Sequence, residues 1–233
     1  MVTRQQLEIA ARGVTLNATL ELPGGASALV LLVHGCGENH GGERNREVAA
    51  VLRRAGIATL LLDLLTPEEE DSDRHMGHLR FNVGLFARRI VRATEYLLSG
   101  GDACTASLGY FGSGTGAAAA LIAAAQQDEC VSAVVARGGR PDLAGAYLEL
   151  VTAPSLLIVG ERDAHVLEIN REAYARMRCT RELAVIPRAS HHFEEPGTLA
   201  MASELAVAWF LSLLGAANAR PLRDEVRAQL PPA

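Results

Sequence analysis

Two features of the 233-residue sequence predict an α/β fold, a mostly parallel sheet of about eight strands with helices on both faces. Apolar runs of strand length recur along the chain, and segments of helical length alternate with them. Runs that are apolar throughout, rather than at every second residue, suit strands buried on both faces, which is how parallel sheets are covered. Regular alternation of the two element types then specifies a doubly wound sheet with right-handed crossovers.

The elements follow in order. "QLEIAARG" and "VTLNATLELP" alternate in part and read as an antiparallel opening pair, with "ELPGG" as the turn that leaves it. The buried strands are "ALVLLVHG" (28–35), "IATLLLDLL" (57–65), "SLGYFG" (107–112), "VSAVVARGG" (131–139), "PSLLIVG" (154–160) and "ELAVIP" (182–187). Between them, "ERNREVAAVLRRAG" reads as a helix stopped at Gly56, and "LRFNVGLFARRIVRATEYLLSGG" as one stopped at Gly100-Gly101. "TGAAAALIAAAQQ", "PDLAGAYLELV", "VLEINREAYARMR" and "GTLAMASELAVAWFLSLLG" complete the helices, while the acidic "TPEEEDSDRHMGH" (66–78) reads as a long polar loop suited to a small lid over 66–80. The tail 216–233 is expected to hold at most a short helix. No repeat or linker divides the chain, so one domain is expected over 1–233.

A net charge of −5 and a pI near 5.8 argue against a nucleic-acid or anionic-membrane partner, since both need concentrated Lys and Arg. Arg53-Arg54 and Arg88-Arg89 fall in helical patterns and read as solvated faces. The N-terminal residues lack an apolar signal core, and Cys36, Cys104, Cys130 and Cys179 are too widely spaced for a zinc site, so reduced thiols in a cytoplasmic protein are expected. His75 and His78, with Asp71 and Asp73 near, lack a further ligand of suitable spacing and read as solvated; no metal is expected.

In open α/β sheets ligands bind beyond the carboxyl ends of the strands, and four strand ends carry chemistry-bearing residues. They are His34-Gly35-Cys36-Gly37, the glycine-rich "GYFGSGTG" (109–116), Gly160-Glu161-Arg162-Asp163, and Arg188-Ala189-Ser190-His191-His192. The second has the form of a strand turning sharply into a helix, small-x-nucleophile-x-small, in which Gly112 and Gly116 flank Gly114. The order elbow, Asp, His is that of a catalytic triad: His191 as proton acceptor and Asp163 as the group that fixes its tautomer. His192 is the neighbouring alternative. Asp163 also reads as a helix N-cap. A phosphate-cradling loop is disfavoured, because "GSGTG" has neither the G-x-G-x-x-G interval nor a P-loop Lys-Ser/Thr pair. Arg137 and Arg140 follow a strand end and suit a substrate carboxylate, with a salt bridge from either to Asp142 or Glu149 as the structural alternative. His34, Ser113 and His192 join them as residues expected to contact substrate.

On "HGCG", "ATLLLDLLTPEEE", "GYFGSGTGAAAA", "VVARGGRPDLAG", "LLIVGERD" and "HHFEEPG", spread over about residues 28–212, the chain resembles the dienelactone-hydrolase-like branch of the α/β-hydrolases. The resemblance implies an α/β-hydrolase fold, hydrolysis of small-molecule carboxylic esters or lactones, no cofactor, and a Ser or Cys nucleophile at the position held here by Gly114. It also implies that the backbone N–H groups of Cys36 and Thr115 form the oxyanion hole. Glycine supplies no nucleophilic atom, and three readings stay open: a Ser site inactivated by replacement, a homologue that binds or catalyses without hydrolysis, or another nucleophile. For the last, Ser113, Cys36 and a water held by His191 are the candidates. A homodimer is the default expectation for such a cytosolic enzyme.

Overall fold

A computed structural model describes residues 1–35, 43–99 and 107–214. Cys36, Cys104, the helix stop at Gly100-Gly101 and the tail 216–233 lie outside the described residues. The eight strands form one sheet: β1 (Val2–Ala11), β2 (Val14–Pro23), β3 (Ala28–Val33), β4 (Ala58–Leu62), β5 (Ser107–Ser113), β6 (Val131–Arg137), β7 (Ser155–Gly160) and β8 (Arg181–Ile186), in the order β1-β2-β4-β3-β5-β6-β7-β8. β1 pairs with β2, and β2 with β4, in antiparallel fashion; all other pairs are parallel. The opening hairpin closes through Arg12 and Gly13, both at positive φ (42° and 93°), the two-residue turn whose twist matches that of its strands.

The helices are α1 (Glu43–Arg54), α2 (Pro67–Met76), α3 (Val83–Leu98), α4 (Thr115–Gln126), α5 (Ala164–Arg176) and α6 (Thr198–Leu214). They divide the core in two. On one face of the sheet Leu31, Leu60 and Tyr110 pack with Phe86 and Ile90 of α3 and the alanines of α4. On the other, Val30, Leu32 and Phe111 pack with Val48 and Leu52 of α1 and Ala206 and Phe210 of α6. No helix of the described residues is long and apolar enough to cross a membrane.

Two segments depart from the sequence expectation. The polar stretch 66–78 contains α2 rather than a loop, because Thr66 and Glu69 form a reciprocal capping box, Pro67 starts the helix, and Gly77 ends it at φ 65°. What holds this short polar helix is charge rather than an apolar stripe. Arg89, read from sequence as a solvated residue, is 5% exposed; its guanidinium donates to both carboxylate oxygens of Glu69 (2.6 and 2.6 Å) and to the Leu64 carbonyl (2.5 Å). Asp73, also buried, accepts from the backbone of Leu79 (2.6 Å) and Arg80 (3.2 Å) and from Arg80 Nε (3.0 Å). The other departure is "PDLAGAYLELV": Pro141–Glu149 forms 3₁₀ turns interrupted at Gly145 (φ 57°, ψ −126°) instead of a continuous helix.

Burial would raise the Glu69 carboxyl, but hydrogen bonds from Arg89 and the Thr66 N–H, with the Arg89 charge, hold it below its ordinary value of 4.5. Because the folded-state value is the lower one, the stabilisation is present above the unfolded value and is lost as pH falls through the folded one. Arg89→Met, which strands Glu69, is expected to cost about 3 kcal/mol at neutral pH, at the low end for a broken buried pair because Glu69 retains contact with water. Urea unfolding measures this, and the midpoints of the two proteins should converge in acid.

Candidate active site

The elbow is defined by which glycines have space beside them. A Cβ at Gly112 would lie 2.6 Å from the Ala117 Cα, and one at Gly116 would lie 2.9 Å from the His34 carbonyl carbon, so both positions exclude side chains. Gly114 differs: a Cβ there would meet nothing closer than the Gly35 Cα at 3.6 Å. It sits at φ 57°, ψ −128°, a backbone state rare for L-residues, and is the N-cap of α4. The position midway between two closed positions is therefore the one that projects into the site, and it carries no side chain. Its carbonyl accepts from the N–H groups of Ala117 (3.3 Å) and Arg140 (3.1 Å), tying the elbow to the loop after β6. Thr115 begins α4, where backbone N–H groups have no intrahelical acceptor, and a Cβ on Gly35 would lie 3.1 Å from its nitrogen. The chain leaving β3 thus passes, at Gly35, directly over the helix N-terminus. Cys36, the other expected oxyanion donor, is outside the described residues.

Asp163 and His191 meet. At the start of α5, Asp163 Oδ1 accepts from the Val166 N–H (3.3 Å) while Oδ2 accepts from His191 Nδ1 at 2.6 Å. One carboxylate therefore serves as helix cap and as imidazole partner, the two roles that sequence reading set against each other. With the proton held at Nδ1, His191 Nε2 is the atom able to take a proton, and the side chain is 44% exposed toward the cleft. The loop bearing it is fixed by Glu195, whose Oε2 accepts from the Ser190 N–H (2.9 Å) and hydroxyl (3.2 Å), and by the buried Phe193 at φ 57°. Gly160 lets this loop lie against the end of β7; a Cβ there would be 2.4 Å from the Ala189 carbonyl oxygen.

The cleft at these strand ends gathers His34, Ser113, Gly114, Arg137, His191 and His192, six positions that sequence reading had singled out. His34 is buried, donates from Nδ1 to the Gly35 carbonyl (2.9 Å) and has Nε2 4.0 Å from Asp63 Oδ1. His192 stands edge-on to His191, with ring centres 4.8 Å apart; partial burial, then the charges of His191 and Arg44, hold its imidazole below the usual range. Arg137 is 6% exposed and lies between the rings of Phe111 (5.9 Å) and Phe193 (5.5 Å). Burial first, then the nearby Arg44 charge, lowers it to about 10 against an opposing pull from Glu47, so it stays cationic at neutral pH. Arg140 takes the structural alternative. Its Nε and Nη2 pair with the two carboxylate oxygens of Asp142 (2.9 and 2.8 Å), and it does not line the cleft. Sequence reading missed Arg44, which lines the cleft from the first turn of α1; the signal was its place in the helix that follows the "HGCG" loop.

The profile of the Dienelactone hydrolase family matches residues 16–217. The chain belongs to this family. A dienelactone hydrolase from Anabaena variabilis ATCC 29413 is similar at 47% sequence identity and a TM-score of 0.88, covering 91% of this chain and 99% of that one. Est1E from Butyrivibrio proteoclasticus shares the fold at 17% identity and a TM-score of 0.73, over 89% of this chain and 98% of its own. Two curated proteins of Mycobacterium tuberculosis, from strains H37Rv and CDC 1551 / Oshkosh and each named "Putative phosphoribosyl transferase", are 46% identical over 210 residues. That match covers 90% of this chain but 46% of theirs, so the chain spans about half the length of the curated relatives it matches.

The two jobs of Asp163 separate by substitution. Asparagine keeps a capping oxygen and is expected to leave the urea midpoint almost unchanged, whereas Asp163→Ala should lose about 1 kcal/mol with the cap. Equal losses in the two variants would show that the cap contributes nothing of its own.

Proposed function

We propose that this chain is built as a hydrolase of carboxylic esters or lactones, with Asp163 and His191 as the acid–base pair and its covalent step disabled at Gly114. The observation that carries this reading is the 2.6 Å hydrogen bond between His191 Nδ1 and Asp163 Oδ2 beside an elbow whose centre is open. In the complete reaction a hydroxyl at 114 would give its proton to His191 Nε2 and attack the acyl carbon. The charge formed on the carbonyl oxygen would be met by the Thr115 N–H and an amide of the "HGCG" loop. His191 would then return the proton to the leaving alcohol, and water would release the acid by the same steps.

A second reading is favoured by the space over Gly114. A water there, giving its proton to His191 Nε2 as it attacks the acyl carbon, would form a tetrahedral adduct; its collapse breaks the ester C–O bond, with His191 returning the proton to the leaving alcohol, and no acyl-enzyme forms. The transferase name of the curated relatives supports neither route; it belongs to proteins of which this chain matches less than half, and the sequence lacks both glycine-rich phosphate-cradling patterns.

The test is the rate of hydrolysis of short-chain p-nitrophenyl esters by the chain as it stands and by Gly114→Ser. The serine variant should gain at least about 10³-fold, in line with what removal of a nucleophile costs other triads, and should lose that gain when His191→Ala is added. A folded serine variant that stays at the buffer rate on every ester would refute the hydrolase reading. If instead the unaltered chain already exceeds the buffer rate, His191→Ala alone removes the excess, and Ser113→Ala and Cys36→Ala leave it in place, water is the nucleophile.

A further inference from the structure

Arg137 is the group the proposed reaction leaves unused. It has no hydrogen bond and no ion pair among the described residues, and its Nε and Nη1 are fully enclosed without a partner. An unpaired buried charge is costly to hold, and the two flanking rings return only part of that cost. A fold that keeps such a cation at the wall of a cleft, 6% exposed, keeps it for an anion that arrives from outside.

What surrounds it fits that use. Arg137 and Ser113 are directly opposite across β5 and β6, the last residue of each strand. Strand alternation puts both on the sheet face that carries Phe111, toward α1 and α6, and both line the cleft. Ser113 is 8% exposed and offers a hydroxyl. Arg44 and His192 line the same cleft; Arg44 has an acidic neighbour in Glu194, at 3.9 Å and largely in solvent. Among the described residues, Glu47 also exerts an acidic influence on Arg137, and it is outweighed by burial. Arg140, tied to Asp142, takes no part.

We propose that Ser113 and Arg137 form a subsite for an oxyanion, the carboxylate or phosphate group of an acidic ester or lactone, seated beside Gly114 on the α1/α6 side of the sheet. Ser113 is then a ligand of the substrate rather than a displaced nucleophile, which agrees with its place on the strand before the elbow rather than at its centre. The identification of the ligand as a substrate rests on the hydrolase reading; the binding of an oxyanion does not.

Two measurements keep these apart. Thermal unfolding of the unaltered chain is followed against sodium phosphate and sodium propionate at constant ionic strength. A saturating rise in Tm is expected with at least one of them, weakened at least tenfold in apparent affinity by Arg137→Met and several-fold by Ser113→Ala. Met is of similar length and carries no charge to desolvate, so that variant should fold; Arg137→Lys, which keeps the charge and loses the fork, should be intermediate. Phosphate alone, propionate alone, or both saturating supports the subsite and names its ligand. No saturation by either anion, or equal saturation in Arg137→Met, overturns it. In the Gly114→Ser background, Arg137→Met should lower the kcat/KM ratio of p-nitrophenyl hemisuccinate to p-nitrophenyl butyrate at least tenfold. A ratio unchanged within twofold overturns the assignment to substrate while the Tm result stands by itself. A Gly114→Ser protein that hydrolyses neither ester, yet binds an anion through Arg137, would sink the hydrolase reading and spare the subsite.

Discussion

The seating of one helix against the sheet fixes the geometry of the whole cleft. The N-terminus of α4 presses on the end of β5 from one side and on the backbone at His34 from the other, closer than any side chain would permit. Gly112 and Gly116 make the two contacts possible, and the alanines that follow let the helix lie flat between α3 and the sheet. Because of this approach the chain leaving β5 must reverse within one residue, and that residue takes up a left-handed φ. The same approach brings the start of α4 against the backbone of Gly35. The helix contributes its unpaired N–H groups there without any side chain.

Around that point the charged groups follow two different rules. Asp163 is fully employed: each oxygen has a donor, and the pair with His191 costs little because the imidazole faces solvent. Arg89 is likewise satisfied, by Glu69 and a carbonyl, although it is as deeply buried as Arg137. Arg137 is the exception. The contrast between the two arginines, equal in burial and unlike in partners, separates a cation that holds the fold together from one that the fold holds in place.

The fold was legible from the sequence because its signals are local and repeated. Uninterrupted apolar runs marked six of the strands and partial alternation the opening pair, while the stop at Gly56 and the cap at Asp163 bounded two helices to within a few residues. The elbow, the dyad and most of the cleft were legible for a related reason: in a parallel sheet all strand ends of one polarity lie together, so the residue after each run is placed by topology. Where the reading failed, the deciding contact was remote in sequence. Glu69 and Arg89 are 20 residues apart, and nothing in "TPEEEDSDRHMGH" itself announces the arginine that makes it a helix worth forming. The capping box was the local signal there, and it was masked by polar composition. Arg44 was hidden in an amphipathic pattern that explains it equally well as a solvated residue. The choice between Arg137 and Arg140 depended on which of two guanidinium groups would find Asp142, a matter of two residues of chain and one turn of backbone.

The backbone at 114 has a consequence for stability. Any side chain there holds the main chain in a conformation that costs about 1–3 kcal/mol, whereas glycine adopts it almost freely. Glycine at this position therefore leaves the folded state more secure than a nucleophile would. Folding by itself thus favours glycine at 114, and any side chain placed there would be held against that preference.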